Sequence, residues 1–161
     1  HGADAKGSFG FPNLADGDWQ WGGSHEQVME TLANGRMAAM PAWAAALGED
    51  GLDEVVAYVL QMSGHGADPQ LAAAGQARFQ MFCVACHGAD GKGNPMLGAP
   101  NLTDAIWLYG SSEATIAEGI GKGRHLDLDE NRLPMPAHKA SLGEGKVQIL
   151  AAYVWGLSNI K

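Results

Sequence analysis

The sequence predicts an all-α chain built as two tandem units with long loops. Three observations carry that expectation. Apolar residues recur at helical spacing in several separate stretches. No stretch alternates convincingly as a half-buried strand would. Seven short blocks of sequence recur in the same order in both halves of the chain.

Residues 1–23 are rich in glycine and aspartate and read as a loop holding Pro12, Trp19 and Trp21. A helix is expected from Ser24, which with Gln27 forms a capping-box pattern, with Val28 and Leu32 on its apolar face. Gly35 should end it. Met40 precedes Pro41 and so lies in an extended or turn segment, because the residue before proline avoids helical backbone angles. A second helix is read over 52–62, with Leu52, Val55, Val56, Val59 and Leu60 at helical spacing. Residues 63–67 form a short linker. Asp68-Pro69 then supplies an N-cap acid and a first-turn proline for a helix through Phe79 and Phe82. Gly75 lowers helix propensity there, which predicts a close helix crossing as compensation. A long loop over 88–112, a short helix over 113–120 and a closing helix over 145–157 complete the pattern.

The repeat is found by sliding the segment after Cys86 along the chain. His87-Gly88-Ala89-Asp90 matches His1-Gly2-Ala3-Asp4, and Pro100-Asn101-Leu102 matches Pro12-Asn13-Leu14. Trp107 aligns with Trp19, Gly123-Arg124 with Gly35-Arg36, and Met135-Pro136-Ala137 with Met40-Pro41-Ala42. Leu142-Gly143-Glu144 aligns with Leu47-Gly48-Glu49, and Ala152-Tyr153-Val154 with Ala57-Tyr58-Val59. The offset grows from 86 to 88 to 95, so the second copy carries two insertions, the larger being the polar stretch 125–133. The expected division is a first domain over 1–65, truncated at its N-terminus, and a second over 66–161.

Chemistry concentrates at Cys83-Val84-Ala85-Cys86-His87. C-x-x-C-H is the attachment signature of a c-type haem: two thiols bind the porphyrin edge and the adjoining histidine ligates the iron. Both cysteines of the chain are spent here, so a second cysteine pair for a zinc site is not to hand. By the repeat, His1 reads as the last letter of a first such motif, and a complete first unit would need a helix and a cysteine pair upstream of it. Each unit then reads as a domain of the class I cytochrome c type, with long loops enclosing its haem.

Met40 and Met135 hold matching places, 39 and 48 residues after His1 and His87, each followed by proline. They are the candidates for the second axial position. Methionine–histidine closure marks electron-transfer cytochromes and raises the potential. Sequence order weakly favours each methionine serving its own half, and an exchange between halves stays open. Met29, Met37, Met62, Met81 and Met96 lack repeat partners and read as packing residues, and His25, His65, His125 and His138 read as surface residues. Trp19 and Trp107 are candidates for packing on the porphyrin. Arg36 and Arg124 are candidates for pairing with its propionates, since a guanidinium matches a carboxylate in bidentate fashion.

The net charge is −8, and residues 1–65 carry −7 of it (nine acids, two bases). An acidic first half argues against nucleic-acid binding. It suits docking of a positively charged protein as well as solubility. No apolar run is long enough to span a bilayer.

Beyond the haem motif, Pro12-Asn13-Leu14-Ala15-Asp16 with Trp19-Gln20-Trp21-Gly22-Gly23, and Ala99-Pro100-Asn101-Leu102-Thr103-Asp104 with Ile106-Trp107-Leu108-Tyr109-Gly110, resemble the dihaem subunit (subunit III) of cbb3-type cytochrome c oxidases. The resemblance covers essentially the whole chain. It implies two haem c groups, His1 and His87 as proximal ligands, Met40 and Met135 as distal ligands, and Cys83 and Cys86 as thioether sites. It further implies a place on the periplasmic face of the bacterial inner membrane, held there by segments outside this chain. Electrons would come from a soluble cytochrome c and pass to the other oxidase subunits, without catalysis by this chain itself. A free soluble dihaem cytochrome, or the haem subunit of a periplasmic dehydrogenase, is the alternative expectation.

Overall fold

A computed structural model describes residues 1–124 and 134–159. These residues form seven helices, α1 (His25–Asn34), α2 (Ala44–Met62), α3 (Pro69–Phe82), α4 (Val84–His87), α5 (Glu113–Lys122), α6 (Lys139–Leu142) and α7 (Glu144–Asn159). Backbone pairing between segments is limited, among the described residues, to isolated two-residue bridges. The all-α expectation therefore holds. None of these helices is long and apolar enough to cross a membrane.

Local chemistry accounts for the helix ends. Ser24 and Gln27 form the reciprocal capping box of α1, and Gly35 ends it at φ 73°. Asp68 accepts from the backbone N–H groups of Gln70 and Leu71 to start α3, and Ser112 caps α5 through Thr115. Helix α2 is longer than its apolar spacing suggests because a first turn precedes a bend at Gly48 (φ 69°). In the second repeat the same turn is the separate α6, ended by Gly143 at φ 77°.

The interior divides into two apolar cores, and packing crosses the sequence division at residues 65 and 66. One core joins Leu47, Val55, Val56, Val59 and Leu60 of α2 to Phe79 of α3 and to Ile116 and Ile120 of α5. The other joins Val28 and Leu32 of α1 to Val147, Ala151 and Val154 of α7. The repeat is thus legible in sequence, but each core takes its last long helix from the opposite copy.

The crossover is fastened by matched backbone bonds. Trp43 N–H donates to Ile120 O at 3.0 Å, and its counterpart His138 N–H donates to Leu32 O at 2.9 Å. Two bridges lie beside these, Met40 with Arg124 and Arg36 with Met135. At α2 and α3 the helices cross so closely that a Cβ on Gly75 would lie 1.9 Å from Glu54 O. The close crossing expected from that glycine is therefore present.

Candidate functional site

The motif 83–87 folds as a single helical turn. Cys86 N–H and His87 N–H both donate to Cys83 O, at 3.2 and 2.9 Å. Positions i, i+3 and i+4 share one face of such a turn, so both thiols and the imidazole are presented together. Cys83 is half-buried and Cys86 is exposed. Burial, and secondarily the neighbouring Cys86, pushes the Cys83 thiol up to about 11.

His87 is buried, with 9% of its surface exposed. Its Nδ1 lies 3.1 Å from Pro100 O. A carbonyl can only accept, so Nδ1 carries the proton and the Nε2 lone pair is left for a metal. Burial lowers the histidine's pKa, with the Pro100 carbonyl opposing, so the neutral, ligating form is favoured.

The loop that supplies Pro100 O is held by its own sequence. Leu102 N–H donates to Gly91 O, and Asn101 Oδ1 accepts from Thr103 N–H at 2.9 Å. A Cβ on Gly93 would lie 2.4 Å from Ala99 O, so glycine alone permits this return of the chain.

The loop after His1 repeats this construction. His1 Nδ1 lies 2.8 Å from Pro12 O, and Asn13 Oδ1 accepts from Ala15 N–H at 2.8 Å. Leu14 N–H donates to Ala5 O, as Leu102 does to Gly91 O, both at 2.8 Å. A Cβ on Gly7 would lie 2.7 Å from Phe11 O. Both halves therefore present a histidine oriented by a prolyl carbonyl.

Met40 is partly buried against the core that Cys83, Val84, Leu102 and Trp107 also border. Met135 packs against the core bordered by Leu14 and Trp19. Each methionine therefore shares a core with the histidine loop of the other repeat, not with its own. Trp19 and Trp107 hold matching places at the edges of the two cores.

The indole N–H of Trp107 is buried and meets no acceptor. That fits a haem: a planar group joined at Cys83 and Cys86 and bearing carboxylates would supply both a ring contact and an acceptor. The donor set of two thiols, one oriented imidazole and one thioether fits haem c.

Arg36 and Arg124 already have partners within the protein. Arg36 lies over the Trp21 ring at 4.9 Å and donates to Thr31 Oγ1. Arg124 lies over the Tyr109 ring at 4.6 Å and donates to Thr115 O. These ring contacts escape a reading of spacing alone. Of the other histidines, His65 bonds Ser63 through Nδ1 and sits edge-on to Trp107, His25 is the first residue of α1, and His138 is the residue before α6. His125 falls outside the described residues.

Helical units, a C-x-x-C-H turn and a carbonyl-oriented histidine define a c-type cytochrome. The family model for subunit III of cbb3-type cytochrome c oxidase matches residues 1–59 and 70–154. Similar proteins include the cbb3-type oxidase subunit CcoP of Rubrivivax gelatinosus, 43% identical over 98% of this chain and 50% of the relative. CcoP of Cereibacter sphaeroides is 42% identical over 98% and 56%, and FixP of Bradyrhizobium sp. strain ORS 278 is 44% identical over 100% and 57%. The chain belongs to the cbb3-type oxidase subunit III family, a family of c-type cytochromes that bind haem c. It spans about half the length of these curated relatives.

Proposed function

We propose that this chain is an electron relay carrying two haem c groups within a cbb3-type oxidase. One is attached at Cys83 and Cys86 with His87 and Met40 as axial ligands; the other has His1 and Met135. The observation that carries the reading is His87, buried beside both thiols with Nδ1 committed to Pro100 O. The matching bond from His1 to Pro12 supports the second site. The pairing across repeats is supported by the core that Met40 shares with Cys83 and the core that Met135 shares with Leu14 and Trp19.

Haem c supplies a one-electron iron couple, whose potential methionine–histidine ligation raises. The chain's own residues do the rest. Prolyl carbonyls orient His87 and His1, and burial favours the neutral form of His87; with haem bound, Met40 and Met135 would supply the second ligands and Trp107 and Trp19 would pack on it. Ligation by a histidine and a methionine would leave no open position for a substrate, which suits relay and not catalysis. The working partners are a soluble donor cytochrome c and the other oxidase subunits. The site of action is the periplasmic face of the bacterial inner membrane, with membrane attachment through segments outside this chain. The acidic first half suits docking of a positively charged donor.

Haem content and the ferric methionine–sulfur charge-transfer band test this in the chain carrying haem at Cys83 and Cys86. Met40→Ala should abolish the band at that haem and let reduced iron bind carbon monoxide, while Met135→Ala leaves both unchanged. The converse result would overturn the pairing, and an unmodified chain that binds carbon monoxide there would overturn the relay reading.

A further inference from the structure

The loop from Asn94 to Ala99 is closed on itself yet presents apolar side chains to water. It is longer than its counterpart in the first copy: six residues separate Gly93 from Pro100, and four separate Gly7 from Pro12. Asn94 and Ala99 exchange both backbone hydrogen bonds, at 2.9 and 3.1 Å. Asn94 Oδ1 accepts from Met96 N–H at 3.0 Å, and the Gln20 side-chain amide donates to Gly98 O. A Cβ on Gly98 would lie 2.2 Å from the Trp21 ring, so the loop rests directly on that indole. Met96 is nevertheless 84% exposed and Leu97 50%. Side chains so exposed add little to the stability of the fold, and methionine is enriched where proteins meet.

Between this loop and α1 runs a groove of about 450 Å³, lined by Trp21, Glu26, Glu30, Arg36, Pro95 and Met96. Glu26 and Glu30 stand four apart on α1, so they share a face, and both are exposed. Glu26 accepts from Ser24 Oγ and Glu30 from the Asn34 side-chain amide, both neutral groups. Neither carboxylate is in an ion pair among the described residues. Arg36, the cation of the groove, is turned onto the Trp21 ring and Thr31 Oγ1 instead. The second copy differs. Its counterpart of Glu30 is Glu118, which pairs with Lys122 at 3.1 Å. At the offset of 88, Lys122 corresponds to Asn34 and Ala114 to Glu26. At these three positions the first copy has one more carboxylate and no lysine.

We propose that this groove is the docking site of a basic electron-donor protein, whose apolar contact covers Pro95 and Met96 while one of its lysines sets an ammonium between Glu26 and Glu30, as Lys122 meets Glu118 in the other copy. This rests on the electron-relay reading. An apolar centre with a charged rim is the anatomy of a protein interface, and the rim here calls for a cation. The chain's own net charge of −8 opposes a second copy as the occupant. The location suits transfer. Met96 stands four residues before Pro100, whose carbonyl orients His87, so the docking contact and the haem at Cys83 and Cys86 share one loop.

The test mixes the chain, loaded with haem at Cys83 and Cys86 and oxidised, with a reduced basic cytochrome c whose haem edge is ringed by lysines. One electron passes from the ferrous donor to the ferric haem, and no bond or proton is exchanged. At low ionic strength, Glu26→Gln with Glu30→Gln should slow the second-order reaction about fivefold and flatten its fall with added salt. Met96→Ser should slow it about threefold and leave the salt dependence unchanged. Glu49→Gln with Asp53→Asn removes the same charge from exposed positions of α2 outside the groove and should keep the parent rate. Groove variants that react as the parent does would overturn the proposal, as would equal slowing by the α2 pair, since diffuse charge and not the groove would then be at work. Self-association of the parent chain that the groove variants abolish would make a second copy the occupant and overturn it too. A parent chain that dithionite reduces but the donor does not would instead overturn the electron-relay reading itself.

Discussion

Met40 and Arg124, from opposite repeats, exchange both backbone hydrogen bonds, at 3.0 Å from Met40 N–H and 2.9 Å from Arg124 N–H. Their counterparts Arg36 and Met135 make the same exchange at 3.0 Å in each direction. The chain thus enters each crossover beside an arginine of one copy and a methionine of the other. Everything C-terminal to the methionine, including the long closing helix, then belongs to the opposite core. The arrangement ties the candidate methionine of one repeat to the histidine loop of the other, which makes the two units structurally interdependent.

Fragments should reveal that exchange. Residues 38–124 retain α2, α3, α4 and α5 and so hold the whole first core. This fragment should melt cooperatively and, with haem attached at Cys83 and Cys86, show methionine ligation. Residues 66–161 follow the sequence repeat but lack α2, and with it Leu47, Val55, Val56, Val59 and Leu60. That fragment should show no cooperative unfolding by circular dichroism. Cooperative melting together with a methionine-ligated haem in fragment 66–161 would refute the exchanged packing.

The close crossing of α2 and α3 gives a second prediction. Alanine favours a helix interior over glycine by about 1 kcal/mol. Gly75→Ala should nevertheless destabilise the chain, by roughly 1–3 kcal/mol, because overpacking displaces whole elements. The reason is backbone, not side chain: Glu54 O at 1.9 Å from the added Cβ cannot rotate away. Gly66→Ala is the control, with nothing within 4 Å, and should change stability by less than about 0.5 kcal/mol. Urea unfolding of the two variants beside the parent chain decides the matter.

Much of this fold is legible in the residues alone, and the unread parts have physical causes. The Ser24–Gln27 box, the Asp68-Pro69 start and the apolar spacing of α7 act within a few residues, so they mark their helices directly. The turn before Gly48 and the matching α6 are shorter than one amphipathic period, so spacing carries no signal for them. The histidine and methionine candidates stand out because the repeat doubles them. Which methionine meets which loop is decided by the backbone exchanges of Met40 with Arg124 and of Arg36 with Met135, and not by periodicity. The ring partners of Arg36 and Arg124 and the unpaired N–H of Trp107 are likewise products of tertiary packing.

The two thiols should differ in reactivity before haem attachment. Cys86 is exposed, whereas Cys83 is half-buried with its thiol pushed up to about 11. Thiolate is the reactive form, so at pH 8 only about one Cys83 in a thousand is poised to react. Iodoacetamide should modify Cys86 first in the haem-free chain. Raising the pH from 8 to 10 should speed modification of Cys83 by about a hundredfold. Peptide mass spectrometry over time reads both rates, and equal rates at pH 8 would contradict the burial of Cys83.

Asp18 gives a prediction with a definite sign. Its carboxyl is raised above the ordinary aspartate value, first by burial, then by Asp104 from the other repeat and by Asp16. The folded chain therefore keeps this proton at pH values where the unfolded chain has released it. By linkage, the stability attached to that proton is present below the unfolded value and is lost as pH rises through the folded one. At neutral pH the ionised Asp18 is a net cost. Asp18→Asn should therefore stabilise the chain at pH 7, by less than about 1 kcal/mol because the group is only partly buried and solvent screens it. Near pH 3, where the aspartate is already protonated, the difference between variant and parent should shrink towards zero. Denaturant unfolding of both proteins at the two pH values measures this. Destabilisation by Asp18→Asn at pH 7 would mean that the carboxylate is held by a favourable partner, and would contradict the burial and the neighbouring charges of Asp104 and Asp16 as the causes of its raised value.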